Sequence, residues 1–315
     1  MLMRPETICR DVEFTLPPAL ARYGFRTACR VSGPEGAPVV VVLGGISADR
    51  FVCTREDGTT GWWPGLVGPD CGIDPQRHRI IGLDFAADAE GTLAPTTEEQ
   101  AQVLCAALDA AGVRTADLVV GASYGGMVAL ALAQHHPQRV RRLVVISAPA
   151  GPHPMATAMR ELQRRAVALG LAHGDGEAGL SIARGLAMLT YRTPEEFAVR
   201  FAGGLDQEAA LGTSAPGAYL RARGDAYHGV MSPERFLSLS ASIDRHRVDP
   251  AFIPQPTLVI GATSDRLVPP EQVEALAAAL PDARLHLIDS LYGHDMFLKE
   301  TGQIAPLVAQ FTEEA

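Results

Sequence analysis

Lysine is almost missing from this chain: Lys299 stands alone, so nearly all of the positive charge is arginine. Fork-shaped guanidinium groups suit anion recognition, but a composition that favours Arg and Ala throughout explains the bias more simply. Cysteine is scarce as well. The five thiols (Cys9, Cys29, Cys53, Cys71 and Cys105) are scattered, odd in number and without C-x-x-C spacing. That argues against a zinc site or a disulfide framework and for reduced thiols in the cytoplasm. No run is long and apolar enough to span a bilayer, and residues 1–6 carry no apolar signal region. Internal repeats and low-complexity linkers are absent. A net charge of −9 disfavours nucleic acid as a partner. What is present is 315 residues, 47% of them apolar, which fits one large α/β unit with an insertion.

The N-terminal part alternates at period two, with Phe25, Thr27, Cys29 and Val31 on one face, and predicts an antiparallel hairpin leading into a sheet. Residues 38–43 form a continuous β-branched run, as expected of a strand buried on both faces. Similar runs follow at 79–83, 117–120 and 142–146, separated by helical segments that include 97–111 and 127–135. Strands alternating with helices predict right-handed βαβ units and a mostly parallel, twisted sheet flanked by helices. From about 155 to 243 the chain turns helical and rich in Arg, Ala and Gly. The sheet resumes at 256–261 and 284–288, and a helix near 304–311 closes the order. The expected organisation is a core built from 1–150 and 248–315, with a helical lid inserted at 151–247.

The chemistry centres on Gly121-Ala122-Ser123-Tyr124-Gly125-Gly126. An apolar strand precedes it and a helical run follows, the context that a G-x-S-x-G nucleophile elbow requires. Glycine at 121 and 125 lets strand and helix approach closely. Ser123 then stands at a helix N-terminus, where backbone N–H groups can stabilise an oxyanion.

A serine hydroxyl needs a base, and the base needs an orienting acid. In the α/β-hydrolase fold these follow in the order Ser, acid, His, each on a loop after a strand. Asp265 follows the strand at 256–261 and His294 follows the strand at 284–288, both at the C-terminal sheet edge where such folds place their sites. Asp289 and Asp249 compete for the acid's role, but Asp265 sits just past its strand and before a loop that Pro269 and Pro270 can rigidify. Of the nine histidines, most are expected on the surface or in the lid, His286 lies inside a strand and His135 and His136 end the elbow helix; His294 has the expected order and a glycine-flanked loop. The loop at 43–47 offers a second oxyanion donor, the N–H of Leu43 or Gly44, beside that of Tyr124. Phosphate cradling by its double glycine is disfavoured by the absence of any G-x-G-x-x-G or Walker pattern. Such a triad fits esterases, thioesterases, peptidases and acyltransferases alike.

Local stretches narrow the choice. Leu43-Gly44-Gly45-Ile46-Ser47-Ala48, Gly61-Trp62-Trp63, Gly68-Pro69, Ile73-Asp74, the elbow through Leu130 and the ending Gly293-His294-Asp295-Met296-Phe297-Leu298 together resemble the α/β-hydrolase-fold homoserine O-acyltransferases, particularly the serine or homoserine O-succinyltransferase branch. The resemblance runs from about residue 38 to residue 300. It implies a ping-pong transfer from an acyl-CoA co-substrate (acetyl-CoA or succinyl-CoA), with no bound cofactor and no metal, through acyl-Ser123 to the hydroxyl of homoserine, serine or a related amino acid. His294 would serve as base and acid in turn, Asp265 as orienting carboxylate, and Asp295 as partner of the substrate amine. Lid helices in this family often form a dimer. Two departures accompany it. Residues 86–92 replace a glycine-rich G-G-x-G-S-T-G-P stretch. Val230 and Phe236 fall where the lid often carries an Arg and a Tyr that hold the amino acid, with Arg221, Arg223 and Arg235 as the candidate substitutes.

Overall fold

The valine run becomes strand β3 (Val39–Leu43), buried along its whole length. Val41 and Leu43 face one apolar core while Val40 and Val42 face another, which is why the run reads as continuous rather than alternating. The computed structural model describes residues 7–23, 27–203 and 214–314, so Phe25 of the expected hairpin lies outside the described residues. The hairpin partners are β1 (Thr7–Phe14) and β2 (Thr27–Pro34), paired antiparallel, and β2 then pairs antiparallel with β4 (Arg79–Leu83). From there β3, β4, β5 (Leu118–Ala122), β6 (Leu143–Ile146), β7 (Thr257–Ala262) and β8 (Ala283–Ile288) run parallel, in the order β1-β2-β4-β3-β5-β6-β7-β8. The free edges carry polar and charged groups: Arg10, Asp11 and Glu13 are exposed on β1, and Arg284 and His286 on β8.

Helix α1 (Thr97–Ala110) starts at a capping box between Thr96 and Glu99. It lies between β4 and β5, and α2 (Tyr124–His135) follows β5. Between β6 and β7 come α3 (Pro154–Ala172), α4 (Gly176–Tyr191), α5 (Pro194–Arg200), α6 (Ala215–Asp225) and α7 (Pro233–Asp244). The caps show how the sequence starts these helices: Asp175, Thr193, Ser214 and Ser232 each accept a first-turn backbone N–H. Helices α8 (Pro270–Ala279), α9 (Met296–Lys299) and α10 (Thr301–Glu313) complete the chain. Among the described residues no helix is long and apolar enough to cross a membrane.

Buried hydrogen bonds join the region of α3–α7 to the core, among them Tyr124 with Ser242 and a pair made by His246. His246 Nδ1 lies 2.8 Å from the Thr97 hydroxyl, and its Nε2 donates to the Pro149 carbonyl at 3.0 Å.

Candidate active site

Strand β5 ends at Ala122 and α2 begins at Tyr124, so one residue, Ser123, makes the entire turn. It does so at φ 54°, a left-handed conformation that costs a non-glycine residue about 1–3 kcal/mol. Three hydrogen bonds hold it there: its N–H donates to Ile146 O at 2.8 Å, and its carbonyl accepts from Gly126 and Met127 at 3.0 and 3.2 Å. A Cβ on Gly121 would stand 2.3 Å from the Gly125 carbonyl oxygen, and one on Gly125 would stand 2.4 Å from that of Leu43. The elbow is therefore closed to side chains at both positions. The Tyr124 N–H sits at the first position of α2, where the intrahelical ladder offers it no acceptor.

Asp265 follows β7 and His294 follows β8. Asp265 Oδ1 accepts the N–H groups of Leu267 at 2.8 Å and Val268 at 3.0 Å, which fixes the carboxylate and turns Oδ2 toward His294. His294 Nδ1 lies 2.7 Å from that Oδ2, and Nε2 lies 2.9 Å from Ser123 Oγ. Burial pushes the imidazole pKa down, but the charge and hydrogen bond of Asp265 outweigh it, so the pKa stands above the usual histidine value. The arrangement can take a proton from the serine and return it to a leaving group.

Ser123 and His294 open into a cavity of about 210 Å³. Its wall passes through Gly45, Ile46, Ser47 and Ala48, whereas Leu43 and Gly44 do not line it. Leu43 closes β3, and the Gly44 carbonyl is occupied by the Gly125 N–H at 2.8 Å. Gly45 is the first residue of this loop on the cavity wall, while a Cβ added at Gly44 would meet Ala48 and Trp62. Trp62 lines the cavity, and its neighbour Trp63 donates to the Phe297 carbonyl at 2.9 Å, joining this wall to the segment after His294.

Asp295 also lines the cavity, with Oδ2 2.8 Å from Arg192 Nε. Of the two departures in the lid, Phe236 lines the cavity while Val230 is exposed away from it. None of Arg221, Arg223 and Arg235 lines it; the guanidinium groups that do belong to Arg160 on α3 and Arg184 on α4. Sequence reasoning missed these two, together with His153, Gln163 and Tyr191. A signal existed on α3. Its buried stripe is Ala156, Arg160, Gln163 and Val167, a helical face that carries two polar residues where a plain core face would be apolar. Arg160 is held by Asp244 at 2.6 Å, which ties α3 to α7. Among the described residues no group of three or more His, Cys, Asp or Glu could hold a metal ion.

The chain matches the alpha/beta hydrolase fold family over residues 38–301. It is 43% identical over 284 residues to a homoserine O-succinyltransferase of Xanthomonas campestris pv. campestris, covering 89% of this chain and 77% of the relative. The chain belongs to the homoserine O-acyltransferases of the α/β-hydrolase fold. A homoserine O-acetyltransferase of Thermus thermophilus is 32% identical, with 81% of this chain and 72% of the relative covered. Solved structures agree on the fold. The homoserine O-acetyltransferase of Bacillus anthracis superposes with a TM-score of 0.82 at 16% identity, covering 98% of this chain and 96% of that one. Esterase E22 reaches 0.84 at 18%, covering 98% and 100%. Homoserine O-acyltransferases thus share their scaffold with an esterase, and the side chains of the cavity, not the scaffold, must decide which reaction runs.

Proposed function

We propose that this protein transfers an acetyl or succinyl group from acyl-CoA, through an ester on Ser123, to the hydroxyl of homoserine, serine or a related amino acid. The observation that carries the reading is the hydrogen-bonded line Asp265–His294–Ser123 facing a cavity that lid side chains overhang, in a chain of this family. Ser123 Oγ attacks the thioester carbonyl while His294 Nε2 takes its proton. The tetrahedral oxyanion rests on the Tyr124 N–H and on that of Gly45. Collapse expels the CoA thiolate, which takes the proton from His294. The acceptor hydroxyl then attacks the acyl-serine, His294 removes its proton and returns it to the departing Ser123 Oγ, and the enzyme is restored. Lid residues His153, Arg160, Gln163 and Phe236 exclude the water that would otherwise hydrolyse the ester. Asp295 contributes negative charge for the acceptor's amine, shared with Arg192.

The test is thiol release from acetyl-CoA and succinyl-CoA by the purified protein. Release that depends on homoserine or serine, with an O-acyl product in mass spectrometry, is the expected result. Release indifferent to every hydroxy amino acid would make the protein a hydrolase. Ser123→Ala abolishes turnover in either case, and retained turnover would refute the assigned nucleophile.

Two copies are proposed to meet through the lid, because α3 exposes Met155, Met159, Leu162 and Leu169 and α4 exposes Ile182 and Leu189. Light scattering should give a dimer for the native chain and a monomer for Leu162→Asp/Ile182→Asp. A cytoplasmic setting fits the five unpaired thiols.

A further inference from the structure

The geometry points to Gln163, with Arg160 beside it, as the residue that selects a donor acyl group ending in a carboxylate, an inference that rests on the acyl-transfer reading above. Gln163 lies on the buried stripe of α3 and lines the cavity, with only 5% of its surface exposed. Its amide makes no hydrogen bond among the described residues. Buried amides are rarely left without a partner, so this one is poised for a group that enters the cavity. Arg160 stands one turn before it on the same face. Its Nε and Nη2 are held by Asp244 at 2.8 and 2.6 Å, while its Nη1 makes no hydrogen bond among the described residues. Arg164, at 2.7 Å, shares the same carboxylate. Two guanidinium groups on one carboxylate leave positive charge in excess where α3 meets α7, and burial makes that excess count.

The surroundings favour the donor over the acceptor. The pKa of His294, set first by burial and Asp265, also responds to the charge of Arg160, so the cluster is within electrostatic reach of the reacting atoms. Ala156 on α3 and Phe236 and Ile243 on α7 add apolar wall. That suits the two methylenes separating the thioester carbonyl of a succinyl group from its carboxylate. An acetyl group ends in a methyl and offers the amide nothing to bond. The acceptor fits this corner poorly, because it bears an ammonium on the same carbon as its carboxylate and excess positive charge repels it. The carboxylate on the cavity wall that could meet an ammonium is Asp295, which sits against Arg192 on the segment after His294. A succinyl carboxylate accepts from the Gln163 amide and from Arg160 Nη1, both charge-assisted hydrogen bonds.

Gln163→Leu and Gln163→Glu in the full chain test this. The first removes the polar end with similar bulk, and the second puts a like charge where the ligand carboxylate binds. With homoserine as acceptor, the ratio of kcat/KM for succinyl-CoA to that for acetyl-CoA should fall about 10-fold in Gln163→Leu and about 100-fold in Gln163→Glu. A ratio that stays within about threefold of the native value in both variants overturns the assignment. So does a rise in KM for homoserine that is alike with either donor and leaves the ratio unchanged, which would give Gln163 to the acceptor. A second measurement does not need acyl transfer: the rate at which a fluorophosphonate labels Ser123, with monomethyl succinate or methyl butyrate as protectant. The acyl chains of these two esters match in length, and only the first ends in a carboxylate. Stronger protection by monomethyl succinate in the native protein, lost in Gln163→Leu, supports the site even if the native protein proves to be a hydrolase. Equal protection by the two esters, or none by either, refutes it.

Discussion

The Tyr227 hydroxyl lies 2.5 Å from Ser47 Oγ, a hydrogen bond between residues 180 positions apart. It fastens the segment between α6 and α7 to the loop that carries Gly45 and Ser47 on the cavity wall, so that segment and the loop are positioned together.

Tyr227→Phe removes that fastening and leaves the ring. Stability should fall by about 1 kcal/mol, the net worth of one hydrogen bond. The fraction of acyl-enzyme lost to water should rise relative to the fraction transferred. Product partitioning, measured as free acid against O-acyl amino acid, reads this directly, and an unchanged ratio would detach the lid–loop contact from water exclusion.

Asp265 raises the pKa of His294, and the neutral imidazole is the form that acts as base. Activity of the native protein should therefore climb with pH through a value above the ordinary histidine range. In Asp265→Asn the acid limb moves to lower pH because burial then dominates, and kcat drops about 10⁴-fold through loss of the correct tautomer. A pH–rate profile in which the limb stays put would show that another group sets it.

Gly125→Ala places a methyl group 2.4 Å from the Leu43 carbonyl oxygen, a contact that only backbone movement can relieve. The expected cost is about 3 kcal/mol or more, with loss of turnover. Gly45→Ala meets nothing within 4 Å and should leave the denaturation midpoint nearly unchanged. Comparing the two midpoints tests whether close approach, rather than glycine as such, is what the elbow needs.

His246 is neutral and buried, its pKa pushed down to about 4 chiefly by burial. A histidine whose folded pKa is depressed contributes stability that is present above its unfolded value and lost as pH falls toward the folded one. Between about pH 6.5 and pH 4 the chain should lose about 3 kcal/mol from this group. His246→Gln should flatten that part of the stability curve; a curve of unchanged slope would assign the acid sensitivity elsewhere.

The elements that proved legible in the sequence are those governed by local rules. The strands announce themselves because burial on both faces demands unbroken apolar runs such as 39–43. The groups at Ser123, Asp265 and His294 are brought together because chain order and loop position already fix where each can stand. Where β3 gives way to the cavity wall, at Gly45, depends on the packing of the loop against Ala48 and Trp62, which local sequence does not show. The lid was least legible. Arg160 and Arg184 reach the cavity through the way α3 and α4 sit over the sheet, a tertiary arrangement that local sequence does not encode. An alignment through Val230 instead leads to a surface residue.

The two free edges of the sheet bear on how copies of this chain can associate. Arg10, Asp11 and Glu13 line one edge, Arg284 and His286 the other. A strand from another molecule that tried to lengthen the sheet would have to crowd against these solvated groups. Lengthening of the eight-stranded sheet of the described residues by a strand from another molecule is thereby disfavoured at both edges.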